Sequence, residues 1–155
     1  MKLAIVDYEE KYQPCFEKFN KAWLEEYFTV EPVDKWVLEH PREAILDKGG
    51  KIYFAMADGV ITGTVALRFI EEGVYEMTKM AVDKNFRGAG IGKLLCKTAI
   101  EKAREQGVRR LILYSNSILK DALHIYRKLG FKDIPVQPGM YRRSDVMMEI
   151  IFKTP

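Results

Sequence analysis

Residues Met80–Ile100, MAVDKNFRGAGIGKLLCKTAI, decide the reading of this chain. The stretch opens on an apolar strand end, Met80-Ala81-Val82. It passes through a polar turn, Asp83-Lys84-Asn85-Phe86, and enters a glycine-rich run, Arg87-Gly88-Ala89-Gly90-Ile91-Gly92. Apolar or small residues then recur at Ile91, Leu94, Leu95, Thr98 and Ala99, the period of an amphipathic helix. Three glycines within five residues permit dihedrals that a Cβ forbids and let the main chain come close to a ligand. At a helix start the N–H groups lack intrahelical acceptors and the dipole is positive, so this segment suits an anion, most often a phosphate.

Spacing separates the phosphate loops. The pattern G-x-x-x-x-G-K-[ST] fails, because Gly88 and Gly92 are wrongly spaced and Lys93 is followed by Leu94. The pattern G-x-G-x-x-G takes Gly88 and Gly90 but meets Lys93 at its third glycine. What fits is R-x-x-G-x-G, as Arg87, Gly90 and Gly92. This resembles the pyrophosphate loop of the GNAT superfamily, the acyl-CoA-dependent N-acyltransferases.

Composition sets the frame. At 155 residues, with 48% hydrophobic and 30% charged, one globular domain over 1–155 with a real core is expected. A net charge of +3, with only pairs such as Arg109-Arg110 and Arg142-Arg143, argues against nucleic acid as a partner. Cys15 and Cys96 lie far apart in no metal or redox motif, so a reducing cytoplasm is the expected compartment. Met1 leads directly into a strand-like segment, and no apolar run approaches the length of a membrane span.

Lys2–Val6 reads as a short strand. A helix is expected over Tyr12–Phe28, with Pro14 in its first turn and an aromatic stripe (Phe16, Phe19, Trp23, Tyr27) read as core. A shorter helix over Val33–Glu39 follows Pro32 and stops at Pro41, and Glu43–Asp47 adds a turn closed by Gly49-Gly50. Ile52–Ala57, Val60–Phe69 and Val74–Val82 read as strands. Asp58-Gly59 makes the first hairpin, and Gly63 marks a bulge or a close backbone contact. The helix after the glycine run extends to Gln106 with Gly107 beyond it. A strand over Val108–Tyr114, a helix over Leu119–Leu129, and strands over Phe131–Ile134 and Val146–Phe152 complete a βααβββαβαββ order, that of one mixed α/β domain.

Ser115-Asn116 and Asp121-Ala-Leu-His-Ile-Tyr126-Arg-Lys-Leu-Gly130-Phe131 are similar to the second GNAT motif, where an Asn is followed by a helix ending in Tyr-x-x-x-Gly-Phe. With both motifs in order, the resemblance covers almost the whole chain. It implies an α/β (α+β) fold: a central, mixed, mostly antiparallel seven-stranded sheet flanked by about four helices, with strands four and five splayed and acyl-CoA in the V between them. It implies that backbone groups of Met80, Ala81 and Val82 hydrogen-bond the pantetheine amides as an added strand would. The N–H groups running from Phe86 or Arg87 through Gly88, Ala89, Gly90 and Ile91 to Gly92 would cradle the pyrophosphate. Arg87 reads either as an added positive charge or as a solvated loop side chain. Asn116 reads either as a pantetheine contact or as a turn and cap residue.

For chemistry, the resemblance points to Tyr126 as the acid that protonates the departing thiolate, since a phenol of reference pKa ~10 is protonated at neutral pH. Glu76 is the candidate base; six residues before Val82, it is expected to share a face with that residue. Its other reading is a charge pair with Lys79 or Arg68. A backbone N–H near Met80 or Ala81 would polarise the acetyl oxygen. Cys96 reads as packing, His40 and His124 as ordinary helix or surface residues, and no cluster has metal-ligand spacing.

In such a fold the first two helices and the last loop line the acceptor side: Trp23, Glu26, Tyr27, Phe28, Glu31 and Asp34, then Met140, Tyr141 and Arg142. Aromatics with carboxylates suit a cationic amine, whereas Tyr141-Arg142-Arg143 suits a carboxylate on the same molecule. The expected function is direct transfer of acetyl from acetyl-CoA, without metal, to the amine of a small molecule or peptide, by a monomer or homodimer. A non-catalytic acyl-CoA-binding module is the alternative.

Overall fold

Residues 52–55 of Lys51–Ala57 (β2) and 62–67 of Val60–Glu71 (β3) are continuously buried, so both faces of the sheet they form must be covered. The computed structural model describes residues 1–137 and 142–153. Its seven strands add Leu3–Asp7 (β1), Val74–Val82 (β4), Arg110–Ser115 (β5), Lys132–Ile134 (β6) and Val146–Ile151 (β7), in the order β1-β2-β3-β4-β5-β7-β6. Every neighbouring pair is antiparallel except β4–β5.

Helices Gln13–Tyr27 (α1) and Pro32–Glu39 (α2) cover one face; Ile91–Glu105 (α3) and Lys120–Lys128 (α4) cover the other. The alternation of β2 divides the core. Ile52 and Phe54 pack with Phe16, Leu24, Val37 and Leu38, while Tyr53 and Ala55 pack with Ile91, Leu95, Ala99 and Leu123. No helix among the described residues is long and apolar enough to cross a membrane.

The apolar stripe of α1 runs from Phe16 and Phe19 to Leu24, so the expected core aromatics Trp23 and Tyr27 fall beside it, and Tyr27 is 41% exposed. With Phe28 they form a ring cluster, centroids 5.5, 5.7 and 6.5 Å apart, at the helix C-terminus. At the start of α2, the carboxylate of Asp34 accepts the Glu31 N–H at 3.0 Å and the Glu31 side chain caps in return, a capping box made of two acids around Pro32. The Asp58-Gly59 turn has positive φ at both residues, as the two-residue hairpin requires.

Gly63 is both things its sequence position suggested. Ala55 pairs with Gly63 but Met56 pairs with Ile61, which leaves Thr62 as an extra, bulged residue. A Cβ on Gly63 would lie 2.8 Å from Leu95 Cδ1 and 3.2 Å from both the Ala81 carbonyl and Ile91 Cγ2. The missing side chain therefore seats α3 directly on β3. Gly63→Val should push the first turn of α3 off the sheet, costing about 1–3 kcal/mol and lowering the melting temperature by roughly 3–10 °C. A calorimetric melt checks this; a variant melting with the parent would remove Gly63 as the seat.

Candidate active site

The parallel pairing of β4 with β5 is short, Val74–Glu76 against Arg110–Ile112. Beyond it β4 runs on to Val82 and β5 to Ser115 without pairing to each other. A cavity opens where they part. Its walls come from β4 (Glu76 to Met80), β5 and the following turn (Leu113 to Asn116), α1 (Asn20, Trp23, Leu24) with Phe28, α4 (Tyr126), and Arg143 with Ser144.

A second bulge lies at this point. Ala66 pairs with Thr78 and Thr64 with Ala81, so Lys79 and Met80 together oppose Val65. Lys79 has φ 54°, a left-handed conformation that costs an L-residue roughly 1–2 kcal/mol. The extra residue resets the phase of the strand. Met77, Met80 and Val82 all pack on the α3 side, although the first two are three residues apart. Glu76 and Val82, expected to share a face, are therefore on opposite faces: Val82 packs against the α3 core, while Glu76 lines the cavity with residues of α1.

The glycine run lies between the end of β4 and the start of α3. Asp83 caps a short 3-10 turn, Lys84–Phe86, by accepting the Asn85 N–H at 3.0 Å. Gly88 and Gly90 follow with φ 83° and 79°, and a Cβ on either would meet nothing within 4 Å. These glycines are required by conformation, and their surroundings are open. The first α-helical bond of α3 is Leu94 N–H to the Gly90 carbonyl at 3.1 Å. Among the described residues, no acceptor meets the N–H groups of Gly88, Ala89, Gly90, Ile91, Gly92 or Lys93. Six adjacent donors at the positive end of a 15-residue helix form an anion cradle. Arg87 is engaged elsewhere: its guanidinium makes a bidentate pair with Glu26 of α1, at 2.7 and 3.0 Å, and holds that carboxyl below its usual range.

Tyr126 lines the cavity from α4 and packs edge-on against Phe131, ring centroids 6.0 Å apart. Its hydroxyl has no hydrogen-bond partner among the described residues, and burial, then the neighbouring Cys96 thiol, pushes its pKa above that of an ordinary phenol. Cys96 itself is fully buried in the α3 core, and burial pushes its thiol up to about 12. Glu76 is 1% exposed and faces Arg68 across the β3–β4 ladder. Arg68 Nε and Nη2 both donate to Oε1, at 3.1 and 2.7 Å, while Oε2 has no donor among the described residues. Asn116 also lines the cavity. Its side chain donates to the Arg143 carbonyl at 2.6 Å and accepts the Ile118 N–H at 3.0 Å, so it shapes the turn after β5.

The carboxylates expected on the acceptor side have cationic partners. Asp34 is fully buried; it takes two bonds of 2.9 Å from Arg143 and faces Lys79 Nζ at 3.3 Å. Burial alone would raise its pKa, but the Arg143 bonds, the Lys79 charge and the Glu31 N–H together bring it below the usual value. Glu31 pairs with the same guanidinium at 2.9 Å. Trp23 and Phe28 line the cavity and Tyr27 abuts them. Met140 and Tyr141 lie outside the described residues. Sequence reasoning passed over Lys79 and Asn20 as lining residues; the signal for Lys79 was the broken alternation between Met77 and Met80.

Residues 6–131 match the model of the acetyltransferase (GNAT) family. The N-acetylaspartate synthetase of Xenopus tropicalis is 35% identical over 132 residues, which are 81% of this chain but 43% of that protein, so the chain spans less than half of it. A GNAT-family acetyltransferase of Staphylococcus aureus Mu50 superposes with a TM-score of 0.87 at 22% identity, covering 98% of this chain and all of that one. The PaiA N-acetyltransferase of Thermoplasma acidophilum, solved in complex with coenzyme A, gives 0.75 at 20% identity, covering 98% of this chain and 100% of its own. The fold is thus that of these solved structures, and the chain belongs to the GNAT acetyltransferase family.

Proposed function

We propose that this protein transfers an acetyl group from acetyl-CoA to the amine of a small molecule or peptide, by direct attack within a ternary complex. The observation that carries the reading is the continuity of the site. Six N–H groups at the start of α3 that meet no acceptor among the described residues adjoin the stretch of β4 that no longer pairs with β5, which leads to a cavity holding Tyr126 and Glu76. That run matches coenzyme A in kind: a diphosphate for the cradle, an amide arm for a strand edge, and a thioester for the cavity. The coenzyme A bound in the Thermoplasma relative of the same fold supports it.

The chemistry needs two proton transfers. The neutral amine attacks the thioester carbonyl; a C–N bond forms, the C–S bond breaks, and the sulfur leaves as a thiolate. Tyr126, held protonated by burial, gives the thiolate its proton. Glu76 takes the amine proton at Oε2, the oxygen that Arg68 leaves alone. The main-chain N–H of Met80 polarises the carbonyl oxygen, that of Ala81 being turned to Thr64 in the β3 ladder. Tyr126→Phe should lower turnover by about 10–100-fold, and Glu76→Gln by about 100-fold with the larger loss at lower pH, where the amine is protonated. Affinity for acetyl-CoA, read by calorimetry, should hold in both variants; turnover equal to the parent would remove that residue from the chemistry.

Charge balance narrows the acceptor. The carboxylates of Glu76, Asp34 and Glu31 are matched by the cations of Arg68, Lys79 and Arg143. Such walls, in which each charge is answered within the protein, favour an amine that brings its own carboxylate over a polycation. The name of the N-acetylaspartate synthetase, a relative by sequence, is consistent with that class. Single-turnover consumption of acetyl-CoA over a panel of amino acids, their amides and their decarboxylated amines tests both levels. Free thiol should appear with a preference of about ten-fold or more for the zwitterions. Equal use of the amines would remove the carboxylate alone, and binding without thiol release would leave a binding module.

Gly90→Glu should abolish the anion cradle by charge, weakening acetyl-CoA binding by about 100-fold or more, while Gly90→Ala, which adds only the left-handed strain, should weaken it by about ten-fold at most. Calorimetric titration decides; unchanged affinity in the glutamate variant would place the diphosphate elsewhere.

A further inference from the structure

Lys79 combines three properties at one position of β4. Its φ is left-handed, it is the extra residue of a bulge, and its long cationic side chain is 8% exposed. Strain of this kind persists only where the surroundings over-determine it. In an unbroken strand Lys79 would share the face of Met77, which packs in the α3 core. Instead its ammonium reaches Asp34 on α2, on the opposite side of the sheet, at 3.3 Å. Asp34 is fully buried and is itself fixed on two further sides, by the Arg143 guanidinium and by the N–H of Glu31 at the helix start. The anchor is therefore a rigid one, set at the third residue of a helix whose first turn it caps.

We propose that Asp34 is a positioning residue for acyl transfer: by clamping the Lys79 side chain from α2 it holds the β4 bulge, and so fixes where the main-chain N–H of Met80 points at the mouth of the cleft. Without the clamp the strand relaxes toward regular pairing, and that amide rotates out of place. The cradle at the start of α3 is built from other residues and stays as it is. The role in turnover rests on the acetyl-transfer reading; the role in backbone conformation does not.

The test uses Asp34→Asn, Lys79→Gly, Lys79→Met and the double variant Asp34→Asn/Lys79→Gly in the full chain. Two readouts are taken: amide hydrogen exchange of residues 77–82 against residues 91–105, and turnover at saturating acetyl-CoA with calorimetric affinity alongside. Asp34→Asn should speed exchange in 77–82 by about ten-fold, with 91–105 unchanged, and lower turnover by about ten-fold, with acetyl-CoA affinity within about three-fold. Glycine adopts the left-handed conformation without a clamp, so the double variant should recover at least about five-fold of the turnover lost in Asp34→Asn. Lys79→Met keeps the strain and loses the anchor, so it should disturb exchange in 77–82 more than Lys79→Gly does. This comparison stands even if Asp34→Asn fails to fold. Exchange in 77–82 unmoved by Asp34→Asn, a double variant no better than Asp34→Asn, or Lys79→Met no worse than Lys79→Gly would each overturn the clamp. If no amine is acetylated at all, the acetyl-transfer reading falls, and the exchange data alone still judge the clamp.

Discussion

One extra residue in β4 governs the site. A parallel pair of strands would ordinarily continue as far as both chains run, because each added rung satisfies a donor and an acceptor. Here the ladder between β4 and β5 stops at Glu76 and Ile112. Past the separation, β4 bulges at Lys79 and Met80 while keeping its partner β3 on the other side. The stretch of β4 beyond the last rung no longer pairs with β5, and that parting opens the cleft. At the start of α3 the geometry of a helix end likewise leaves donors that meet no acceptor among the described residues.

Hydrogen bonds and charge pairs at the site compete for the same few groups. Arg87 lies beside the glycine run, yet its guanidinium is held by Glu26, so the donors that the run presents are main-chain N–H groups. Asn116 is tied to the Arg143 carbonyl and the Ile118 N–H, which fixes the turn after β5. Arg143 in turn ties Asp34 of α2 and Glu31, the residue that caps it, to the segment before β7. Ring packing at Trp23, Tyr27 and Phe28, with these ion pairs, joins α1, α2 and the last turn into one wall of the cavity.

Much of this was readable from residue order. The strands and helices follow from local periodicity and from punctuation at Asp58-Gly59, Gly107 and Gly130, signals that act within a few residues. The glycine cradle was legible for the same reason. The pairing of charges was not. Asp34 meets a partner 109 residues away in Arg143 and another 45 residues away in Lys79, and no local pattern specifies such distances. Tyr27 was expected in the core because helical spacing alone does not say where a sheet stops covering a helix. Glu76 was expected to share a face with Val82 because strict alternation was assumed across a strand that breaks it. The break did leave a trace, a methionine three residues after another where two would be regular.

That phase break constrains how the chain can change over generations. Surface turns accept insertions and losses with little effect. Between Met77 and Val82, however, loss of a single residue would set Met77 and Met80 two apart, restoring simple alternation with both still on the α3 side but removing the bulge itself. Lineages descending from this sequence should therefore replace residues along this strand while conserving its count, much as a reading frame is conserved.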